Sequence, residues 1–114
     1  MANFLYIFRG GIDSGASPQQ MQEQMQKWGA WIQALTKTGT FKAGDPLELG
    51  GRVLKGKKKV VTDGPFAEAK DLVGGYLLVS AKDLDEATEL ARGCPIFEHD
   101  AGTVEVRQVQ EMRT

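Results

Sequence analysis

The first residues that could carry out chemistry are an aspartate and the short segment that follows it. Asp63 comes directly after a predicted apolar strand and precedes a Gly-Pro turn, so its carboxylate could act as a base or orient a ligand beside a cleft. Pro65, Phe66 and Glu68 follow closely, and we expect them to line the same entrance and contact the ligand. The alternative is structural, because an aspartate before a turn often accepts backbone N–H bonds and Glu68 could be a solvated loop charge.

A histidine and two arginines complete the set of candidate site residues. His99, the single histidine of the sequence, could titrate near neutral pH and act as an acid or base together with Asp63. Arg9 and Arg107 lie on or just after predicted strands, where an inward-facing guanidinium offers forked donors to a carboxylate- or enolate-like ligand. If these side chains lie instead in a loop or at the solvent edge of the sheet, they are ordinary surface residues.

Several other kinds of site are excluded or disfavoured by the sequence. Cys94 is the only cysteine, which excludes an intramolecular disulfide, a paired-thiol redox motif and a multi-cysteine metal site. Glu98, His99 and Asp100 are adjacent, and adjacent residues rarely converge on one ion without partners from elsewhere in the fold. The paired glycines lack the spacing of a phosphate-binding loop, and no Gly-x-Ser-x-Gly motif occurs. We therefore predict neither a metal site nor a cofactor.

Length and composition fit one domain spanning residues 1–114. The chain is 41% apolar and 25% charged, and 14 basic residues against 15 acidic ones give a net charge of -1. This balance gives no bias toward nucleic acid, and we interpret the lysine-rich segment 55–59 as a solvated hairpin tip that blocks aggregation. The apolar run at residues 4–8 is too short to span a membrane and lacks the flanks of a signal peptide. A cytoplasmic protein without membrane contact is expected.

Two amphipathic helices are predicted. The first begins at Ser17, which can cap it, and ends near residue 38. Its apolar stripe should face the sheet and comprises Met21, Met25, Trp28, Ile32 and Leu35. Trp31 is expected at the edge of this stripe, where a tryptophan favours a dimer interface or a pocket wall. The second helix opens at Asp83 and runs through about Arg92. Its expected inner face comprises Leu84, Ala87, Leu90 and Ala91.

The strands are predicted from alternation of apolar and polar residues and from short runs rich in β-branched and aromatic residues. They cover residues 4–8, 51–54, 59–62, 75–80 and 103–109, and residues 41–50 are expected to be irregular. The segments 51–54 and 59–62 read as a hairpin with a basic tip. When one inserted hairpin strand is left out, the order is strand, helix, strand, strand, helix, strand. This order is typical of a ferredoxin-like sandwich, in which two helices pack on an antiparallel sheet.

Five short segments of the sequence resemble the DGPF branch of the YCII-related family. They are DGPFAEAK at residues 63–70, GGY at 74–76, AKDLDEA at 81–87, GCPIFEH at 93–99 and GTVEVR at 102–107. The resemblance implies a ferredoxin-like fold of the dimeric α–β barrel type, in which two protomers pair their sheets and enclose a cavity. It therefore implies a homodimer, and it leaves the biochemistry of the cavity undefined.

The sequence differs from the wider YCII family at a position on the first helix to which the resemblance would assign a functional role. Relatives carry a histidine on the first helix, which the resemblance would pair with an aspartate in an active site. The matching stretch here, residues 24–35, has no histidine and carries Lys27, Trp28 and Trp31 instead. That histidine–aspartate pair cannot be carried over to this chain.

Three functions are compatible with these residues. The first is a small dimeric enzyme that acts on a small organic molecule in a cavity between the sheet and the first helix, with Asp63 and His99 as acid and base. The second is a non-catalytic module that binds a ligand or a protein partner, and the third is a structural homodimer that buries an apolar face. The sequence leaves open whether the protein is an enzyme.

Overall fold

A four-stranded antiparallel sheet with two helices on one face forms the body of the chain. The computed structural model describes residues 1–11, 15–64 and 69–112. In chain order the elements are β1 (Ala2–Arg9), α1 (Pro18–Lys37), β2 (Phe41–Pro46), β3 (Arg52–Lys55), β4 (Val60–Asp63), β5 (Val73–Ala81), α2 (Leu84–Ala91) and β6 (Thr103–Gln108). Short 3₁₀ turns cover Ala69–Asp71 and Pro95–Glu98. The sheet order β2-β5-β1-β6, antiparallel throughout, confirms the predicted ferredoxin-like α+β fold.

The central strand β1 separates the two faces of the sheet, because successive side chains of a strand point to opposite sides. Phe4, Tyr6 and Phe8 point to the helix side and are almost fully buried. The rest of the core consists of Leu35, Leu77, Val79, Ala81, Ala87, Ala91, Cys94 and Ile96. Tyr6 donates its hydroxyl hydrogen to the carbonyl oxygen of Ala87 in α2. This bond satisfies the polar end of a phenol that is otherwise packed among apolar side chains.

Two tryptophans fill the space between α1 and the sheet. The Trp31 ring stacks on Tyr6 with 6.2 Å between the ring centroids, and Trp28 meets Phe8 edge-on at 5.0 Å. Trp31 also lies 6.3 Å from Phe8, and like Trp28 it is partly buried against the core. These rings occupy the space in which a ligand cavity was expected between the sheet and the first helix.

The buried stripes of both helices are shorter than their sequences predict. Met21 and Met25 continue the stripe of α1 toward its N-terminus, but both are exposed because the packing of α1 on the core begins at Trp28. Leu84, the first residue of α2, is exposed as well, whereas Ala91 in the last turn is buried. Neither helix among the described residues is both long and apolar enough to cross a membrane.

Side-chain caps fix the starts of both helices, as the sequence predicts. The Ser17 hydroxyl accepts a hydrogen bond from the backbone N–H of Gln20, whose side chain accepts one from the backbone N–H of Ser17. At the start of α2, the Asp83 carboxylate accepts from the backbone N–H of Glu86. Each cap satisfies backbone donors that the first turn of a helix leaves unpaired.

The second strand of the sheet lies where the sequence predicts irregular chain. Residues 41–50 show no strand pattern, yet β2 occupies most of this segment and pairs with β5. The prediction is wrong because β2 is an edge strand: its sequence lacks apolar alternation and ends on Pro46, which a sheet edge tolerates. Gly44 allows a close approach, since a Cβ at this position would lie 2.2 Å from Leu77 Cδ2. It is β2, and neither strand of the hairpin, that completes the four-stranded sheet.

The predicted hairpin forms, but as a separate two-stranded sheet. β3 and β4 pair antiparallel with each other alone among the described strands. The turn between them is closed by a 3.0 Å hydrogen bond from the backbone N–H of Lys59 to the carbonyl oxygen of Gly56. Every residue of this hairpin is exposed. We call residues 52–63 the arm.

Candidate functional site

The sheet surface opposite the helices carries a half-buried apolar strip. Leu5 and Ile7 of β1 face this side, and their direct cross-strand partners on β5 are Leu78 and Tyr76. All four are partly buried, but none belongs to the core cluster, and no described helix covers them. Such apolar surface is available to a ligand or a partner. The open face, as we call it, consists of Leu5, Ile7, Ala43, Asp45, Tyr76, Leu78, Glu105 and Arg107.

Two arginines and a glutamate border the strip on the β6 side. In the register of β1 and β6, Glu105 lies opposite Ile7 and Arg107 lies opposite Leu5, so both side chains are on the open face. Glu105 Oε1 lies 2.6 Å from a terminal guanidinium nitrogen of Arg9, and its Oε2 lies 3.8 Å from Nε of Arg107. The fold therefore brings together both arginines that the sequence suggests as ligand-binding residues.

This Arg–Glu–Arg cluster has one net positive charge, and its guanidinium groups have more N–H donors than the contacts with Glu105 use. The side chain of Arg9 is 31% exposed, that of Glu105 is 42% exposed and that of Arg107 is 70% exposed. Arg9 is thus held in place by its ion pair, whereas most of the Arg107 side chain remains accessible. A guanidinium presents five N–H donors in a planar fork that fits anionic oxygens. The cluster can bind such an oxygen at the border of an apolar surface.

A carboxylate and a phenol border the strip on the β2 side. Asp45 and Tyr76 are opposite each other in the register of β2 and β5, and the Tyr76 hydroxyl lies 3.4 Å from Asp45 Oδ2. Both groups can accept or donate a proton at this end of the strip. The sequence does not predict this pair, because Asp45 precedes Pro46 and an aspartate before a proline indicates a turn. The alternation along β5 is the signal that would have placed Tyr76 and Leu78 on one face.

His99 lies in the turn that leads into β6. Its backbone N–H donates to the carbonyl oxygen of Ile96, and the residue is half-buried. The turn abuts the end of β1, since a Cβ on Gly10 would lie 2.0 Å from the carbonyl oxygen of Ala101. His99 is therefore at the same end of the sheet as Arg9, which directly precedes Gly10.

Asp63 lies on the arm, apart from the other candidate residues that the structure describes. It is the last residue of β4, its side chain is 92% exposed, and its Oδ1 lies 3.9 Å from Nε of Arg52 on the neighbouring strand. Among the described elements, none outside the arm packs extensively against β3 or β4. The structure accordingly does not bring Asp63 into contact with Arg9, His99 or Arg107. The remaining candidates lie outside the described residues: Pro65, Phe66 and Glu68.

Two buried titratable groups belong to the core. Burial raises the pKa of the Tyr6 phenol to about 12 and the pKa of the Cys94 thiol to about 12. Both groups are therefore neutral near pH 7, and a buried protonated thiol is a poor nucleophile. Within residues 1–11, 15–64 and 69–112, no three His, Cys, Asp or Glu side chains are grouped so that they could hold a metal ion.

Comparison with known proteins identifies the family. The sequence matches the YCII-related domain over residues 7–113, which is nearly its whole length. This chain is a member of the YCII-related family. One curated relative is the uncharacterized protein R00369 of Rhizobium meliloti (strain 1021), which is 42% identical over 48 residues. That match covers 42% of this chain and only 39% of the relative.

A solved structure shares the fold of this YCII-related protein. It is the 5-chloro-2-hydroxyhydroquinone dehydrochlorinase TftG from Burkholderia phenoliruptrix AC1100, in complex with 2,5-dihydroxybenzoquinone. The TM-score is 0.52 at 18% sequence identity, and the similarity covers 96% of this chain and 95% of TftG. At that level of identity the similarity establishes the fold alone.

In this YCII-related protein, the stretch of α1 that lacks the family histidine holds the helix against the rest of the chain, both through polar contacts and through the core. Lys27 Nζ lies 2.5 Å from Glu98 Oε1, and the Gln24 amide donates to Glu98 Oε2 at 3.1 Å. The hydrogen bond with Lys27 lowers the pKa of Glu98, and the same bond raises the pKa of Lys27. This exposed cluster joins α1 to the 3₁₀ turn that precedes His99, while Trp28 and Trp31 face the core.

Proposed function

We propose that this protein binds a small, planar, oxygenated ring compound on the open face and acts on it by proton transfer. The observation that carries the proposal is an apolar strip with a cationic cluster on one border and the Asp45–Tyr76 pair on the other. Neighbouring strands lie about 4.8 Å apart, so β5 and β6 are separated by about 10 Å. A ring that carries oxygen substituents spans that distance. Its apolar faces would lie on Leu5, Ile7 and Leu78.

The chemistry that suits this arrangement develops negative charge on a ring oxygen. When a proton leaves an atom of an oxygenated ring, the charge spreads onto an oxygen as a phenolate or enolate. The positively charged donors of Arg9 and Arg107 would stabilise that oxygen, because fixed donors lower the energy of charge that appears during a reaction. Asp45 or Tyr76, on the opposite border, would accept or return the proton.

The similarity to TftG supports this ligand class. The name of that protein refers to a chlorinated hydroxyhydroquinone, and its structure holds 2,5-dihydroxybenzoquinone. Both compounds are planar rings with several oxygen substituents. An elimination or isomerisation of such a ring needs a site for an anionic oxygen and a proton acceptor near the ring, which the two borders of the open face would supply.

Two further residues belong to the proposal as acids or bases. His99 is a candidate because it lies at the same end of the sheet as Arg9 and because an imidazole can act as a general acid or base. Asp63 remains a candidate because it precedes the Gly64-Pro65 dipeptide in the sequence, although it lies on the exposed arm. Pro65, Phe66 and Glu68 remain proposed ligand contacts.

We also propose that the working form is a homodimer. A second copy over the open face would bury the apolar strip and convert it into a closed cavity, which is the arrangement that the dimeric α–β barrel resemblance implies. Exclusion of water would strengthen the electrostatic contribution of the arginine cluster, because charges interact more strongly in a medium of low dielectric constant.

A ligand titration with matched arginine variants tests the proposed site. The probe is 2,5-dihydroxybenzoquinone, titrated by calorimetry into wild type, Arg9→Gln and Arg107→Gln. Loss of a charged hydrogen bond costs about 1.5–3 kcal/mol, so Kd should rise about 10- to 150-fold in each variant. Arg92→Gln is the control, because Arg92 is 72% exposed and pairs with Glu89 on α2, away from the open face. Equal affinity in all four proteins would contradict the proposed site.

Turnover distinguishes an enzyme from a binding module. Incubation with a chlorinated hydroxyhydroquinone, followed by measurement of chloride release, would reveal elimination. Asp45→Asn, Tyr76→Phe, His99→Gln and Asp63→Asn then identify which group moves the proton. Loss of turnover with an unchanged melting temperature would mark a catalytic group. Tight binding with no turnover in wild type would favour the non-catalytic binding module.

A further inference from the structure

The arm carries an apolar patch that no described part of its own chain covers. Leu54 and Val61 are a direct cross-strand pair, and they are 64% and 54% exposed. They share one face of the arm with the Arg52–Asp63 ion pair, which is the next cross-strand pair on that face. Exposed apolar pairs of this kind mark surfaces at which proteins associate.

The arm also lacks the packing that usually keeps a hairpin folded. An isolated two-stranded hairpin is marginally stable at best in water. Among the described elements, β3 and β4 pack extensively only on each other. The reverse face of the arm has no such apolar pair, because Val53 lies opposite Thr62 and Val60 lies opposite Lys55. The face of Leu54 and Val61 is therefore the one that a partner would cover.

A cleft of about 390 Å³ lies at the root of the arm, where β2 ends and β5 begins. It is lined by Leu47, Glu48, Leu49, Gly50, Asp71, Leu72 and Val73. Most of these side chains are apolar, and Leu47 and Leu49 are exposed. Glu48 and Asp71 are exposed acids, and neither forms an ion pair with another described residue. The root is thus apolar with an acidic rim.

The tip of the arm has the opposite charge. Its lysines are all exposed, and none forms an ion pair within the described part of the chain: Lys55, Lys57, Lys58 and Lys59. If two identical arms lie antiparallel, the basic tip of each reaches the acidic root of the other. A two-fold symmetric pair of arms is thereby complementary to itself, both in charge and in apolar surface.

We propose that the arms of two copies of this chain pack against each other antiparallel, with the tip of each arm at the root cleft of the other. The inference rests on the homodimer proposed above and specifies a surface that holds it together. Because only one face of the arm takes part, about half of its twelve residues contribute beside the seven that line the cleft, which corresponds to a small interface.

A charge exchange measured by sedimentation equilibrium tests the pairing of tip and root. Glu48→Lys with Asp71→Lys makes root and tip both basic, and Lys57→Glu with Lys58→Glu introduces acidic residues at the tip opposite an acidic root. Each double variant alone should dimerise at least tenfold more weakly than wild type. Mixed in equal amounts, the two should form heterodimers with an affinity near that of wild type, because both contacts then join opposite charges.

An apolar variant with a matched control tests the face of the arm. Leu54→Asn should weaken the dimer at least tenfold, whereas Leu84→Asn, at a leucine of α2 that is 51% exposed, should leave it unchanged. Circular dichroism of both variants establishes that they are folded. A wild type that is monomeric at tens of micromolar, a mixture that recovers nothing, or equal effects of the two leucine variants would each overturn the arm interface.

The ligand titration separates this inference from the proposed function. A monomer that binds 2,5-dihydroxybenzoquinone through Arg9 and Arg107 would overturn the arm interface and leave the ligand site intact. A dimer that passes the charge exchange but binds no ring compound would support the arm interface and contradict the ligand site.

Discussion

The contact between the end of β1 and the turn before β6 requires glycine, and it predicts a graded loss of stability in three variants. Gly10 has a φ of +77°, and a Cβ there would lie 2.0 Å from the carbonyl oxygen of Ala101. Gly39, just after α1, has a similar φ of +73° but no atom within 4 Å of its Cβ position. Gly10→Ala therefore combines a collision with conformational strain, whereas Gly39→Ala introduces the strain alone.

The free energies of unfolding can be estimated from these two costs. A left-handed conformation costs a residue with a Cβ roughly 1–2 kcal/mol, partly offset by the lower unfolded-state entropy of alanine, so Gly39→Ala should lose about 1 kcal/mol. A collision with backbone adds about 1–3 kcal/mol, because no rotamer change relieves it, and Gly10→Ala should lose about 3 kcal/mol in total. Gly102→Ala should fall between them at about 2 kcal/mol. Its Cβ would lie 2.1 Å from the carbonyl oxygen of Ile96, without a positive φ.

Urea unfolding followed by tryptophan fluorescence measures this series, since Trp28 and Trp31 both lie against the core. The midpoints can be compared if the m-value, which is the slope of the unfolding free energy against urea concentration, is the same in all variants. In thermal unfolding the shift should be roughly 4 °C for each kcal/mol in a chain of this size. Because Arg9 directly precedes Gly10, Gly10→Ala should also weaken binding of the ring probe, while Gly39→Ala should not. A loss in Gly10→Ala no greater than that in Gly39→Ala would refute the reasoning.

Two further predictions concern titratable groups. The hydrogen bond from Lys27 lowers the folded-state pKa of Glu98, so its contribution to stability is complete above the unfolded value near 4.5 and is lost as the pH falls through the lower folded value. The difference in unfolding free energy between wild type and Glu98→Gln should therefore shrink on acidification, and a difference independent of pH would contradict this. Burial raises the pKa of the Cys94 thiol from 9.0 to about 12, so stability should fall as the pH rises above the unfolded value, where only the unfolded thiol ionises. Near neutral pH, alkylation of Cys94 should accelerate with the unfolded fraction in urea, and rapid modification of the native protein would show the thiol to be accessible.

The helices and the fold class could be predicted because their signals are local. Ser17 with Gln20, and Asp83 with Glu86, satisfy backbone donors within three residues, and these caps form as the sequence indicates. The apolar stripe of a helix predicts burial less well near the helix ends, because burial there depends on whether other parts of the chain lie against the helix. The sequence of α1 extends its stripe to Met21, although the core begins only at Trp28.

Long-range pairing explains what the sequence could not predict. The pattern of β2 does not resemble a strand, since its regularity comes from pairing with β5 at the sheet edge. The pair of Asp45 and Tyr76 depends on that register, and so it could not be foreseen. Arg9 and Arg107 could be expected on strands, but their convergence on Glu105 follows from the register of β1 and β6.

The most direct test of the central claim is amide chemical-shift mapping by NMR during a titration with 2,5-dihydroxybenzoquinone. If a planar oxygenated ring binds on the open face, the largest shifts should occur at Leu5, Ile7, Tyr76, Leu78 and Arg107, with little change on the helix side of the sheet. Shifts confined to the helices or to the arm, or no shifts at a large excess of ligand, would contradict the claim.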